Sequence, residues 1–183
     1  MQIETELDKN RYIVLSNDIN DYVIKEVIEK ILEISDYDAR MSEIYNNYKI
    51  RPIELIINSF GGSVYDGLAL YGIIEKSYTP VYTYGFGKIM SMGAIIFLAG
   101  VQRYSHKYAT FMLHEAASGL FGSITELKEN IKELDRVQKI LSEIISEKTK
   151  ITKEKIKLIN KEKLDWYISA NEAVKLGIAN KLI

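Results

Sequence analysis

Short apolar runs alternate with amphipathic stretches along most of this chain. "RYIVLS" (11–16) is brief and apolar, as a buried strand should be. After it, Val23, Val27, Ile28, Ile31 and Ile34 recur at helical spacing and mark one face of a helix. A polar, tyrosine-bearing connection (35–52) ends at Pro52, and "IELIIN" (53–58) reads as the next strand, closed by "SFGGS". "VYDGLALYGIIEKS" then carries Leu68, Leu70, Ile73 and Ile74 at helical spacing until Pro80 stops it. "VYTYGFG" (81–87) is a third strand ending in glycines, a helix runs from about Ser91 to Leu98, and "ATFMLH" (109–114) is a fourth strand. Strand, glycine turn and helix recurring at intervals of about 27 residues predict an α/β fold of βαβ units on a mainly parallel sheet. In such sheets ligands collect at the carboxyl ends of the strands. "NSFGG", "GFGKIMS" and "LHEAASG" all fall at such ends, so they are expected to converge on one rim.

The segment from Ile124 to about Lys150 follows a different pattern. Apolar residues recur at 124, 127, 131, 134, 137, 141 and 144 or 145, with lysines and glutamates between them. This predicts one helix about 35–40 Å long at 1.5 Å per residue, more than a domain of this size needs to wrap itself. It is either a solvated surface helix or a helix that packs on a neighbouring subunit. In the tail, "DWYISANEAVKLGIANKLI", Ser169 and Glu172 make a capping box and Gly177 suits a left-handed helix end. A last strand, "IANKLI", follows, and Asp165 stands in the turn leading in. No linker or low-complexity stretch interrupts residues 1–183, so one domain is expected.

Composition narrows the chemistry. The 183 residues include no cysteine, which removes disulfides, thiolate catalysis and zinc–cysteine sites. With only two histidines, His106 and His114, a histidine-rich metal cage is not expected, and no cofactor motif is present. The formal net charge is −1 with both signs interspersed, so nothing argues for nucleic acid. The polar start "MQIETELDKNR" is unlike a signal peptide, and the longest apolar run (94–101) is far short of the roughly 20 residues a spanning helix needs. The expectation is a protein with no membrane association that stays in the cytoplasm.

Against this background Ser91, inside "YGFGKIMSMGA", stands out. A dry, unpaired hydroxyl costs roughly 1–3 kcal/mol, so Ser91 needs either a hydrogen-bond partner or a chemical role. Its simplest role is to start a helix. The alternative is a nucleophile, because the amides of Ser91 and Met92 would be free donors at a positive helix end, good ground for an oxyanion hole. A serine nucleophile needs a base. His106, in the polar turn "RYSHKY", reads as a solvated residue. His114 closes an apolar strand at the rim where Ser91 is expected, and reads either as a structural histidine or as that base. A third group must orient the imidazole, and spacing cannot choose it among eight aspartates.

"INSFGGSVYDGLALYGII", "GFGKIMSMGAIIFLAG", "FMLHEAASGLFGSI" and "DWYISANEAVKLGIANKLI", in this order, resemble the proteolytic subunit of the Clp-type caseinolytic serine proteases. The resemblance runs from about Arg11 to Ile183 and implies the crotonase-like superhelical fold of that family, with the helix at about 124–150 as a protruding handle. It implies Ser91 as nucleophile, His114 as general base and Asp165 as the orienting carboxylate. It also implies an oxyanion hole from the amides of Gly62 and Met92. By the same resemblance, Ser63 and Val64 with Leu120 and Phe121 flank an extended peptide substrate, or a segment of an unfolded protein. A homo-heptameric ring or a double-ring tetradecamer is implied, and an AAA+ unfoldase ATPase as partner.

The chain departs from the family pattern in places. Phe60 stands where Pro is usual, Met90 and Lys88 precede the nucleophile, and Leu164 replaces an arginine before Asp165. The histidine is followed by Glu115 and Ala116 where the family has Gln-Pro. Three other readings compete with the peptidase. A catalytically silent ring subunit would lack one of Ser91, His114 and Asp165, and all three are here. A crotonase-type acyl-CoA enzyme would need carboxylates at the helix start that Ser91 occupies. A specialised viral or capsid-maturation protease would carry the same three residues.

Overall fold

The computed structural model of the protein describes residues 10–117, 119, 122–162 and 164–183. The first half alternates as the pattern predicts: β1 (Tyr12–Leu15), α1 (Asp21–Ile44), β2 (Ile53–Ser59), α2 (Val64–Lys76), β3 (Val81–Met90) and α3 (Met92–Leu98). There follow β4 (Gln102–Ser105), β5 (Thr110–Leu113), α4 (Ile124–Lys148), α5 (Lys153–Glu162), β6 (Trp166–Ser169), α6 (Ala170–Lys175) and β7 (Lys181–Leu182). Seven strands among the described residues form one sheet in the order β1-β2-β3-β4-β7, and these neighbours are all parallel. The fold is thus mixed α/β with a mainly parallel sheet. Alternation shows how β2 is held between β1 and β3: Ile53, Leu55, Ile57 and Ser59 are buried, while the residues between them are half-buried. The inward face meets Leu70 and Ile74 of α2 and Ile31 and Ile34 of α1 in one core.

β3 is the branch point. Its first half pairs with β4 through Tyr82–Gly85 and its second half with β5 through Lys88–Met90. Between them Gly87 adopts φ 65°, a left-handed conformation that a glycine takes without strain, and the register against β2 shifts between Ile57 and Ser59. This break steers the end of β3 away from β4 and alongside β5. β6 closes the branch by pairing antiparallel to β5, Leu113 opposite Trp166.

Several elements differ from the sequence expectation. α1 does not end at Ile34 but continues to Ile44, through the segment that polarity suggests is a connection. The cause is a buried polar cluster: Asp38, fully buried, accepts from Arg11 (Nη1–Oδ2 2.6 Å, Nη2–Oδ1 2.9 Å), Thr79 (2.6 Å) and the Tyr48 hydroxyl. β4, α5 and β6 are additional. β4 is held by Arg103, which donates to the carbonyls of Gly177, Ile178 and Lys148, an arrangement that no local pattern announces. α5 is lysine-rich and anchored by two buried residues, Ile156 and Ile159. Asp165 lies immediately before β6, in the lead-in to a strand.

The tail follows its punctuation. Ser169 and Glu172 form both halves of a capping box. Gly177 (φ 72°) ends α6, with Ile178 N–H donating to the Ala173 carbonyl and Gly177 N–H to Val174, the Schellman pattern. α4 has its own capping box, Ser123 with Glu126, and its apolar stripe divides. Val137, Leu141 and Ile145 are buried against the body, whereas Ile124 and Ile131 are 75% and 52% exposed. No described helix is long and apolar enough to cross a membrane.

Candidate active site

Strand registers bring the three candidate residues together. Met90 pairs with Met112, so Ser91 leaves β3 beside the end of β5, and its amide donates to the Met112 carbonyl at 2.8 Å. That bond corrects one expectation: the Ser91 amide is engaged in the sheet and is not a free donor, which leaves Met92 as the helix-start amide available to an anion. His114 lies two residues beyond Met112, and its Nε2 is 2.7 Å from Ser91 Oγ. The β5–β6 register, Leu113 opposite Trp166, continues by one pair to set Asp165 opposite His114. There Asp165 Oδ1 stands 3.6 Å from His114 Nδ1. This is an ion-pair distance rather than a hydrogen bond, and such contacts tighten when substrate excludes water. Side-chain exposure is 31% for His114 and 57% for Asp165.

Ser91 is the one described non-glycine residue with positive φ (φ 51°, ψ −125°). Such backbone costs on the order of 1–3 kcal/mol and persists where surrounding structure enforces it. Here the enforcing contacts are the Met112 bond below and the start of α3 above. The helix-cap role is not realised, since the Ser91 side chain makes no cap hydrogen bond and its partner is His114. The hydroxyl therefore faces a base at a strained strand-to-helix turn.

Gly61 approaches Ser91, and Gly62 approaches Ile19, more closely than a side chain would allow. A Cβ on Gly61 (φ 106°) would lie 2.7 Å from Ser91 Cβ and 3.0 Å from Met92 N. One on Gly62 (φ 145°) would lie 2.3 Å from the Ile19 carbonyl oxygen. The loop is clamped from the far side: Ile19 N donates to the Gly61 carbonyl, Ser63 N to the Ile19 carbonyl, and Ser59 Oγ to the Asn17 carbonyl. Gly62, Ser91, Met92 and His114 all line one cavity of about 310 Å³. Its walls are Val64, Ile95, Met112, Leu141, Ile145 and Ile156, with Gln138 and Asn160 as polar members. Phe60 stands at its edge with Lys88 Nζ 4.1 Å from the ring centre, so these two departures from the family pattern pack on each other. A second cavity, about 500 Å³, lies beyond His114, bordered by Glu115, Asp135, Gln138 and Asp165.

Of the expected substrate-edge residues, Val64 lines the first cavity. Ser63 caps α2, its side chain accepting from Asp66 N, and its own amide and carbonyl are bonded to Ile19 and Gly67. Leu120 and Phe121 lie outside the described residues. His106 is away from the site, stacked on Phe86. Sequence reasoning missed Gln138, Ile156 and Asn160, because the first sits in a helix whose polar positions look alike and the others in a helix the pattern did not announce. Among the described residues no cluster of histidine and carboxylate side chains could hold a metal ion.

A hydroxyl 2.7 Å from an imidazole, with backbone amides nearby and an apolar cavity alongside, suits acyl transfer. Known proteins of one family resemble the chain along its whole length. The Clp protease family pattern matches residues 1–183. The ATP-dependent Clp protease proteolytic subunit 2 of Chlamydia trachomatis serovar D is 30% identical over 185 residues, covering 100% of this chain and 85% of that protein. The ATP-dependent Clp protease proteolytic subunit of Borrelia garinii subsp. bavariensis is 30% identical over 183 residues, covering 99% and 88%. A solved mutant of ClpP1 from Listeria monocytogenes superposes with a TM-score of 0.81 at 26% identity, covering 97% of this chain and 92% of that one.

Proposed function

The chain belongs to the Clp protease family, and from that premise we propose that it is a serine endopeptidase working through Ser91, His114 and Asp165. The observation that carries the reading is the 2.7 Å contact between Ser91 Oγ and His114 Nε2 at the strained end of β3. Ser91 Oγ attacks the scissile carbonyl as its proton passes to His114 Nε2. Asp165 keeps the other imidazole proton on Nδ1 and balances the imidazolium. The amides of Gly62 and Met92 receive the oxyanion. His114 then protonates the departing amine, and a water activated by the same imidazole releases the acyl group from Ser91. The apolar wall formed by Val64, Ile95, Met112 and Leu141 favours an apolar side chain before the scissile bond of a peptide or unfolded segment.

A fluorophosphonate probe tests this directly. The expected result is one covalent adduct, mapped to Ser91 by peptide mass spectrometry. A folded, assembled protein that takes up no probe would favour the silent ring subunit instead.

The same reading extends to assembly. Ile124 and Ile131 on the first half of α4, and Leu164 before Asp165, leave apolar surface that a monomer exposes to water. We place a ring of seven there, with a second ring meeting it through this apolar stripe, and an AAA+ unfoldase as the supplier of unfolded substrate. Charge-assisted contacts weaken in salt while apolar ones do not. The sedimentation coefficient is therefore expected to stay the same between low and high salt. A monomer at micromolar concentration would overturn the ring, and dissociation on adding salt would overturn apolar stacking.

A further inference from the structure

We infer that Gln138 on α4 is a positioning residue for the reaction, fixing the His114 segment by accepting the backbone proton of Ala116; the inference rests on the peptidase reading above. Ala116 N donates to Gln138 Oε1 at 2.7 Å. The donor lies two residues past the base, in the stretch 114–117 that follows β5 without regular structure of its own. The acceptor lies on a 25-residue helix whose neighbouring positions Val137 and Leu141 are buried in the body. A segment without ladder bonds is thereby tied to a rigid element at the point where the imidazole must be held.

The amide's orientation follows from its partners. A backbone N–H requires an oxygen opposite it, which directs Oε1 to Ala116 and leaves Nε2 facing Ser142 Oγ at 3.2 Å. Ser142 donates its own proton to the Gln138 carbonyl at 2.7 Å, so its hydroxyl oxygen is free to accept from Nε2. The Ala116 N–H, the Ser142 hydroxyl proton and one of the two Nε2 protons each meet one acceptor, which fixes the orientation of the amide. Gln138 also borders both cavities that meet at His114, so it forms part of the wall separating them. Removing its oxygen leaves a partly buried N–H without an acceptor and releases the chain beside the base. Displacing a reacting group by about 1 Å can cost on the order of a hundredfold in rate.

Position 116 makes the idea separable from ordinary stabilisation. Gln138 matters here because residue 116 has an N–H. A proline at 116 has none and fixes its own φ, so it removes the requirement that Gln138 meets. The first variants are Gln138→Met, which keeps length and packing but offers only a weak acceptor, and Gln138→Glu, which keeps an oxygen. They are compared in the assembled full-length protein by the concentration dependence of fluorophosphonate labelling at Ser91. This gives a maximal rate and a half-saturating concentration separately.

The Met variant is expected to lose about tenfold in maximal rate, with half-saturation unchanged and the melting temperature lowered by only a few degrees, and the Glu variant to regain most of that rate. In an Ala116→Pro background, Gln138→Met should cost less than about twofold. Labelling of Gln138→Met at the parental rate would overturn the inference, as would loss that Glu does not restore. If Ala116→Pro fails to fold, the Met and Glu pair decides alone. A parent that never labels overturns the reading of Ser91 itself, whereas a parent that labels with Gln138→Met equal to it overturns only the role of Gln138.

Discussion

Ser91→Ala is expected to abolish peptide cleavage, with kcat/KM falling at least about four orders of magnitude, while the ring and the melting temperature stay as they are. The loss follows from chemistry: no other hydroxyl is bonded to an imidazole among the described residues. The unchanged stability follows from structure, because the Ser91 side chain caps nothing and alanine retains the Cβ that the φ 51° backbone already accommodates. His114→Ala should lose activity to a similar extent, since the hydroxyl then has no base. Asp165→Asn should also lose most activity, because the carboxylate that holds the Nδ1 proton and balances the imidazolium is gone. Turnover of an unstructured peptide with an apolar residue before the cleaved bond checks all three. Full activity in Ser91→Ala would sink the assignment, and selective loss in His106→Ala would show that the wrong histidine had been chosen.

How much of this was legible depends on whether a residue's partners are near it in sequence. β2 and β3 were plain, because buried parallel strands are runs of β-branched and aromatic residues wherever they occur. The rim was legible for the same reason: strand ends followed by glycines must turn, and three such ends converge on Ser91 and His114. Asp165 was different. What brings it to His114 is the antiparallel pairing of β6 with β5, a contact between residues about fifty positions apart that no local period encodes. It was chosen by resemblance, and the register supplies the physical reason. Gln138 and Arg103 carried no signal at all, since each is one polar residue among many until the carbonyls or amides around it are placed. The error at α1 has the opposite cause. Helix formation there is driven by a buried polar cluster, and a polar stretch reads as a connection when its partners, Arg11 and Thr79, lie 27 and 41 residues away.

That cluster sets the second large effect. Asp38→Ala is expected to destabilise the fold by about 3–5 kcal/mol, because it breaks a buried ion pair and removes the acceptor that Arg11, Thr79 and Tyr48 share. Replacing both Arg11 and Asp38 by apolar residues should recover much of the loss, since burying the two charges costs about as much as their attraction returns. Burial by itself pushes the Asp38 carboxyl upward, but the hydrogen bonds from Arg11, Thr79 and Tyr48 outweigh it and hold the group below the ordinary carboxylate range. The folded state therefore binds this proton more weakly than the unfolded chain. Its contribution is complete above the unfolded value, near 3.9, and is lost as pH falls through the lower folded one. Denaturant midpoints measured from pH 6 downward should accordingly fall more steeply below about pH 4 in the parent than in Asp38→Asn, by up to about 1.4 kcal/mol per pH unit. Parallel curves for the two proteins would mean that Asp38 titrates alike folded and unfolded, and that the cluster holds α1 by shape rather than by charge.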